Sequence, residues 1–402
     1  MSLLIKKVSV ITDLDIKESY NILVSNGVIE YIGKETPDSD ECIDGKDLYA
    51  SPGFIDIHTH GAGGADYMDA TLEAYRTAAK AHAQYGVTTV LPTTLSATKE
   101  EMLDTFEVYG QIRKEGSGGA DMPGLHLEGP YFAMSQKGAQ DPKYVRDPDP
   151  KEYDEILAKG KDYILRWSIA PELNGAMEFG DHVMKYGILP SVAHSDASYA
   201  KTIEAFFHGY RLITHLYCCT SNATSLSYSK RDGDDFSFED RTLGIDEAAH
   251  VLDDMYVECI GDGIHVLPDM LYTTYKIKGA DRMILCTDSM RAAGTTVERS
   301  ILGSEKRGRA VYFEDGVAKI LGTKIVAASI ATGERLLQTA VLKAKIPLVD
   351  AVKMLSKTPA TLMNLNDRGV LQCGKRADIV LFDKEMNLKT VLVGGKVLRN
   401  DL

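Results

Sequence analysis

The stretch SPGFIDIHTHGAGG, residues 51–64, combines a short apolar strand pattern with two histidines and a glycine-rich turn. Residues i and i+2 of a β-strand point to the same face, so His58 and His60 project together from the end of this strand. A metal ion needs several ligands that converge on one point, and two neighbouring imidazoles can supply two of them. A solvated pair of loop histidines is the alternative that this stretch alone leaves open.

Seven further strand-like runs follow, usually separated by helical patterns such as LEAYRTAAKAHAQYG (72–86). The runs are TTVLPT (88–93), GLHLE (124–128), ILRWSIAPE (164–172), ILPSVAH (188–194), RLITH (211–215), MYVECIGDGIH (255–265) and RMILCTD (282–288). Eight strands with helical connections over about 235 residues match the size of a TIM-like (β/α)₈ barrel. An open doubly wound sheet is the competing architecture, but the glycine-rich phosphate turn typical of such sheets is missing from the sequence.

The two ends of the chain predict a second, smaller domain. Residues 1–50 alternate between apolar and polar positions and include Asn26-Gly27, which is a hairpin turn signal. Residues 377–398 are also strand-like. We therefore predict an α/β protein in which residues 1–50 and 366–402 form one discontinuous β-sandwich beside a barrel over residues 51–365.

Composition narrows the class of partner and the cellular setting. The 402 residues include 45 Lys and Arg against 58 Asp and Glu, and this net charge of −13 argues against nucleic acid or an anionic membrane as the main partner. The opening MSLLIKKVSVITD carries charges too early for a signal peptide, and we find no run of about 18 apolar residues. Six scattered cysteines without a C-x-x-C pair indicate reduced thiols in a cytoplasmic protein.

Polar residues at the ends of the predicted strands are the candidates for chemistry, because the active sites of such barrels lie on the C-terminal face. These residues are His58, His60, Glu128, Glu172, His194, His215, His265 and Asp288. A single strand-end histidine is often a hydrogen-bonded core residue, but a whole rim of imidazoles and carboxylates indicates a metal site. Such ligands suit zinc, iron or manganese and do not choose among them.

The motifs, taken in order, resemble those of the N-acetylglucosamine-6-phosphate deacetylases of the amidohydrolase superfamily. They are PGFIDIHTHG (52–61), HLEGP (126–130), AHSDAS (193–198), THLY (214–217), GDGIH (261–265), CTDSM (286–290) and the tail GVLQCGKRADIVLFD (369–383). The resemblance implies that Glu128, His194 and His215 bind one divalent metal, zinc or iron. It also implies that His58 and His60 hold a second ion, with Glu128 bridging the two.

The resemblance further implies hydrolysis of the acetyl group from an N-acetylated amino-sugar phosphate, with N-acetylglucosamine-6-phosphate as the expected substrate. Asp288 would move a proton from the attacking water to the leaving nitrogen, and His265 would polarise the acetyl carbonyl or contact the sugar. An epimer such as N-acetylgalactosamine-6-phosphate, another acyl group, an unphosphorylated sugar and a cyclic amidase or deaminase reaction stay open. A scaffold without activity is disfavoured, because the ligand positions and Asp288 are all present.

On the phosphate side of the expected pocket the chain departs from the family pattern. After THLY it reads Cys218-Cys219, where the family usually has Asn-Ala, whose backbone amides meet the phosphate. Arg241 is the candidate phosphate arginine, with Lys230 and Arg231 as rivals, because a guanidinium matches phosphate better than an ammonium does. In the family this arginine reaches the neighbouring subunit, so the resemblance implies a homodimer.

The sugar side of the pocket also departs from the family. The turn that ends in Ala139 and Gln140 resembles the sugar-contacting turn of the family, with Gln140 where histidine is usual. Ala327 lies in the position of a short glycine and serine run. The expected substrate contacts are therefore Ala139, Gln140, Cys218, Cys219, Arg241, His265 and Ala327.

Overall fold

The computed structural model describes residues 2–223 and 242–402. Its strands are β1 (Ser2–Ile11), β2 (Ile16–Ser25), β3 (Val28–Gly33), β4 (Glu41–Asp44), β5 (Tyr49–Pro52), β6 (Phe54–Thr59), β7 (Gly61–Ala62), β8 (Ala65–Asp66), β9 (Val87–Pro92), β10 (Leu125–Glu128), β11 (Ile164–Ile169), β12 (Leu189–Val192), β13 (Leu212–Ile213), β14 (Tyr256–Ile260), β15 (Met283–Cys286), β16 (Arg299–Leu302), β17 (Arg309–Glu314), β18 (Val317–Ile320), β19 (Val326–Ala328), β20 (Ile379–Phe382), β21 (Leu388–Val393) and β22 (Lys396–Asn400).

Helices lie between many of these strands. The α-helices are Leu72–Gln84, Lys99–Glu115, Pro150–Gly160, Ala176–Met184, Tyr199–Phe207, Ile245–Val251, Pro268–Lys278, Gly333–Gln338, Leu348–Leu355 and Lys357–Leu362. Short 3₁₀ turns cover Tyr67–Asp69 and Met134–Gln136, and a π turn covers Thr339–Lys343. Within the described ranges, none of these helices combines the length and the apolar character that crossing a membrane requires.

Eight parallel strands close into the predicted barrel. Strands β10 to β15 pair in sequence order, and β6 pairs with β9. Two single parallel bridges complete the ring, from Thr93 to His126 and from Thr59 to Ser289. Every residue of β6 and β9 is buried, as expected for parallel strands that are covered on both faces. The (β/α)₈ prediction is confirmed, and each of the eight runs found in the sequence overlaps one barrel strand.

The first barrel helix shows how local sequence determines an element. The Thr71 side chain caps helix Leu72–Gln84 by accepting a hydrogen bond from the Ala74 N–H, at 3.1 Å. Small and aromatic residues, among them Tyr75 and Ala78, form its buried face. Gly86, which follows the helix, adopts a φ of +86°, a backbone conformation that favours glycine. The turn at Gly86 leads the chain directly into β9.

Both ends of the chain enter one eight-stranded sheet in the order β22-β21-β20-β5-β1-β2-β3, with β4 added beside β1. The link between the two ends is the antiparallel pair of β20 and β5. Asn26 and Gly27 join β2 to β3 with φ values of +50° and +81°, as the hairpin signal requires. The domain boundaries after residues 50 and 365 stay predictions.

A four-stranded antiparallel sheet, β16 to β19, follows the last barrel strand and was not expected from the sequence. A small apolar cluster holds it against the barrel, with Leu302, Val311 and Ile320 packed near Met290. We call β16–β19 the insertion sheet. Its position over the carboxyl end of the barrel brings Leu302, Val326 and Ala327 to the wall of the cavity described next.

Candidate metal centre and active site

Six side chains converge at the carboxyl ends of the barrel strands. They are His58, His60, Glu128, His194, His215 and Asp288. The strand-end positions explain the convergence, because parallel strands of a barrel all deliver their last residues to one rim. The Glu128 side chain is only 2% exposed, whereas Asp288 is 13% exposed and faces the cavity. The cluster is therefore buried, with its carboxylate Asp288 on the open side.

Glu128, His194 and His215 form one group of metal-ligand type. Glu128 Oε1 lies 3.3 Å from His194 Nε2 and 3.2 Å from His215 Nε2, and the two nitrogens are 3.3 Å apart. Ligand atoms that each lie about 2.0–2.1 Å from a tetrahedral ion are roughly 3.3 Å from one another. The three separations thus match the edges of a coordination shell, and this donor set fits a divalent cation.

His58, His60 and Asp288 form a second group beside the first. Asp288 Oδ1 lies 3.2 Å from His60 Nε2 and 3.5 Å from His58 Nε2. Glu128 reaches both histidines, through Oε1 at 3.3 Å from His58 and Oε2 at 3.5 Å from His60. His58 Nε2 is buried without a hydrogen-bond partner, as a metal-ligating nitrogen would be before its ion binds. The residues present therefore fit two ions with Glu128 between them.

The carboxylates of the cluster counteract the effect of burial on the pKa of His58. Burial lowers the pKa of His58, but the charges of Asp288 and Glu128 outweigh burial and raise it to about 10. Burial also opposes ionisation of Glu128, yet the nearby histidines hold its pKa well below the usual value. The pocket thus carries a negative potential that attracts protons. A divalent cation would be attracted by the same negative potential and would displace the protons.

The backbone is strained at the strand ends that deliver these side chains. His194, His215 and Asp288 adopt positive φ values of +47°, +31° and +44°. Residues other than glycine rarely enter this region, and such conformations concentrate at functional sites. Here the left-handed turn immediately after each strand directs the side chain into the barrel mouth.

A buried ion pair beneath His58 supports the cluster and was missed in the sequence. His58 Nδ1 lies 2.9 Å from Glu258 Oε1, and Glu258 also pairs with Arg166, with both side chains fully buried. The signal was a charged residue inside each of two apolar strands, β11 and β14. His58, Glu258 and Cys286 are close enough to hold an ion, but the Arg166 guanidinium repels a cation there. We therefore assign Glu258 to the orientation of His58.

His265 is also held by a neighbouring carboxylate. Its Nδ1 lies 2.6 Å from Asp262 Oδ2. The other oxygen of Asp262 accepts the backbone N–H groups of Ile264 and His265, at 2.8 and 2.9 Å. Nδ1 is thereby fixed as a donor, which leaves Nε2 as the ring nitrogen for a ligand in the cavity.

The cavity above the cluster brings together most of the predicted substrate contacts. Those that line it are Ala139, Gln140, Cys218, Cys219, His265 and Ala327. The N–H of Cys218 donates to the His215 carbonyl at 2.9 Å, so this N–H is already bonded within the protein. Arg241 and its rivals Lys230 and Arg231 lie outside the described residues.

Glu172 is the strand-end candidate that does not join the cluster. Its carboxylate accepts hydrogen bonds from the Ser195 hydroxyl, at 2.5 Å, and from the Asp196 N–H, at 2.6 Å. Both partners follow the ligand-type residue His194 in the chain. Glu172 therefore stabilises the loop after β12 through these two hydrogen bonds.

Comparison with known proteins agrees with this architecture. Residues 49–398 match the amidohydrolase family. The N-acetylglucosamine-6-phosphate deacetylase of Haemophilus influenzae is 30% identical over 394 residues, which are 97% of this chain and 97% of that protein. The N-acetylgalactosamine-6-phosphate deacetylase of Escherichia coli O157:H7 is 27% identical over 347 residues, or 86% of each chain.

Solved structures show the same fold over the whole length. A mutant N-acetyl-D-glucosamine-6-phosphate deacetylase of Mycobacterium smegmatis, in complex with N-acetyl-D-glucosamine-6-phosphate, is 27% identical with a TM-score of 0.88, and the match covers 99% of this chain and 100% of that one. The N-acetylglucosamine-6-phosphate deacetylase of Thermotoga maritima is 27% identical with a TM-score of 0.84, covering 99% of both chains. The resemblance indicated by the sequence motifs is confirmed.

Proposed function

The chain belongs to the amidohydrolase family, and we propose that it hydrolyses N-acetylglucosamine-6-phosphate to glucosamine-6-phosphate and acetate. The observation that carries this proposal is the Glu128 carboxylate shared between two groups of ligand type at the barrel mouth. Relatives named for this activity match nearly the full length of the chain, which supports the choice of substrate.

Each group of ligands has a role in the proposed reaction. Glu128, His194 and His215 would hold one divalent ion, zinc or iron, and His58 and His60 a second. When bound, the metal supplies Lewis acidity, which polarises an acyl oxygen and makes water a stronger acid. Glu258 would keep His58 in the tautomer that presents Nε2 to the ion.

Asp288 carries out the proton transfer. Its carboxylate takes a proton from the water that attacks the acetyl carbon, and it delivers a proton to the nitrogen when the C–N bond breaks. Its partial exposure to the cavity gives the carboxylate access to both positions. His265, held by Asp262 through Nδ1, presents Nε2 to the acetyl group or to the sugar.

The remaining contacts concern the sugar and its phosphate. We place the phosphate near the Cys219 N–H and assign its arginine to Arg241 of a second subunit in a homodimer. Ala139 and Ala327 would form the wall beside the sugar. A cytoplasmic location stays a prediction. It agrees with the six cysteines, all among the described residues, being free thiols.

Acetate release from a panel of substrates tests the proposal. We expect zinc- or iron-loaded protein to act faster on N-acetylglucosamine-6-phosphate than on N-acetylgalactosamine-6-phosphate, N-acetylglucosamine or a hydantoin. The galactosamine substrate is the second candidate, because relatives named for that activity also match this chain. Asp288→Asn is the matched control for contaminating activity. Equal rates with and without the phosphate, or ring opening of the hydantoin, would contradict the proposal.

A further inference from the structure

Gln140 lies between Glu128 and the backbone of the loop after β9. Its side-chain Nε2 is 2.7 Å from Glu128 Oε2, and its Oε1 is 2.8 Å from the Ser96 nitrogen. The residue is only 5% exposed. Both polar ends of the amide therefore contact protein groups.

The orientation of this amide follows from its two partners. The Ser96 backbone N–H can only donate, so the carbonyl oxygen of Gln140 must face it. The NH₂ group then points to Glu128, whose carboxylate oxygen Oε2 accepts from it. The opposite orientation would place two donors together and two acceptors together, which excludes it.

Glu128 needs such a partner, because its two oxygens face different histidines. Oε1 lies close to His58, His194 and His215, whereas Oε2 lies close to His60. The last torsion of a glutamate side chain is broad, so the carboxylate plane is weakly fixed by its own rotamer preference. A donor at 2.7 Å from Oε2 fixes that plane from outside the ligand groups.

We propose that Gln140 is a positioning residue that holds the shared Glu128 carboxylate for the metal. This inference depends on one part of the proposed function, namely that the site binds a metal ion. One N–H of the amide donates to Glu128 and the carbonyl oxygen accepts from Ser96, so the side chain is held at both of its polar ends. The glutamine thus belongs to the support of the metal centre, together with Glu258.

Metal affinity of Gln140→Met tests this role without any substrate. Methionine has a similar length but no donor, and loss of such a support typically costs about 10- to 100-fold in metal affinity. We expect that loss for zinc in competition with a chelating dye, and we expect KM to stay near the wild-type value while kcat falls. If the methionine variant folds poorly, Gln140→Asn is the second variant, because its amide is one methylene too short to reach Glu128. It should show the same loss of zinc affinity and the same fall in kcat.

Gln136→Met is the matched control. It makes the same change in the same loop, where the side chain bonds Asp196 and not Glu128. Unchanged zinc affinity in the Gln140 variants would overturn the proposal. If KM rises while zinc affinity stays unchanged, Gln140 is a substrate contact. If zinc affinity falls but the wild-type protein releases no acetate from any sugar, the positioning role stands and the proposed function fails.

Discussion

At the residue scale, the two carboxylates of the cluster have different surroundings and therefore different roles. Glu128 approaches all four histidines and its side chain is only 2% exposed. Asp288 approaches only His58 and His60 and lies open to the cavity. A carboxylate enclosed by ligand nitrogens is suited to hold an ion, and one at the open edge is suited to move protons.

Asp288→Asn should separate these roles. Asparagine keeps the size of the side chain but cannot accept the proton of water, so kcat should fall by about 10²- to 10⁴-fold. The ion held by Glu128, His194 and His215 should stay bound, because none of these ligands changes. Steady-state acetate release and elemental analysis on the same sample measure both quantities. Turnover within a few-fold of wild type would rule out Asp288 as the proton-transfer group.

At the element scale, the helix Leu72–Gln84 supports the strand that carries the histidine pair. His82 Nε2 on this helix lies 2.9 Å from the hydroxyl of Thr59, the last residue of β6, which stands between His58 and His60 in the chain. Burial lowers the pKa of His82 to about 4. The folded protein therefore keeps His82 neutral at pH values where the unfolded chain already protonates it.

This difference predicts a loss of stability in mild acid. With an unfolded pKa of about 6.5, His82 should lower the free energy of unfolding by about 2 kcal/mol between pH 7 and pH 5. Since glutamine does not titrate, His82→Gln should lose about 2 kcal/mol less than wild type over the same interval. Denaturant unfolding of both proteins at both pH values measures the difference. An identical loss in the two proteins would show that His82 titrates normally.

Elements differ in how far the sequence predicted them. The barrel strands were predictable, because parallel strands covered on both faces are continuous apolar runs. The insertion sheet was not, since its strands are short and only partly buried: Arg299–Leu302, for example, has a single fully buried residue. The expectation that functional residues lie at the carboxyl ends of the barrel strands likewise located the ligand-type residues. The contacts of Gln140 with Glu128 and Ser96 depend on how separate loops meet, which strand periodicity does not reveal.

At the scale of the whole molecule, the proposed reaction involves two copies of the chain. The phosphate arginine is expected from the neighbouring subunit, and Arg241 lies outside the described residues. In a symmetric dimer each site would then combine Asp288 of one subunit with Arg241 of the other. The catalytic and the phosphate-binding groups could therefore be inactivated on different chains.

Mixing two impaired variants, with substrate far below the KM of the arginine variant, tests this arrangement. Arg241→Ala should raise KM strongly for the phosphorylated sugar only, and Asp288→Asn should abolish turnover. After subunit exchange, mixed dimers should regain one complete site each, or about a quarter of wild-type activity in a random mixture of C₂ dimers. Subunit exchange without any recovery of activity would show that each site takes its arginine and its aspartate from the same chain. Equal loss on the unphosphorylated sugar would direct attention to Lys230 and Arg231.

The central claim is that the cluster at the barrel mouth binds the metal on which acetate release depends. The measurement that tests it most directly is metal content and acetate release from N-acetylglucosamine-6-phosphate for His194→Ala, beside a variant with both His58→Ala and His60→Ala. We predict that His194→Ala loses the ion held with Glu128 and His215 and nearly all turnover, while the double variant keeps one ion and part of the activity. A His194→Ala protein with wild-type metal content and wild-type rate would contradict the account.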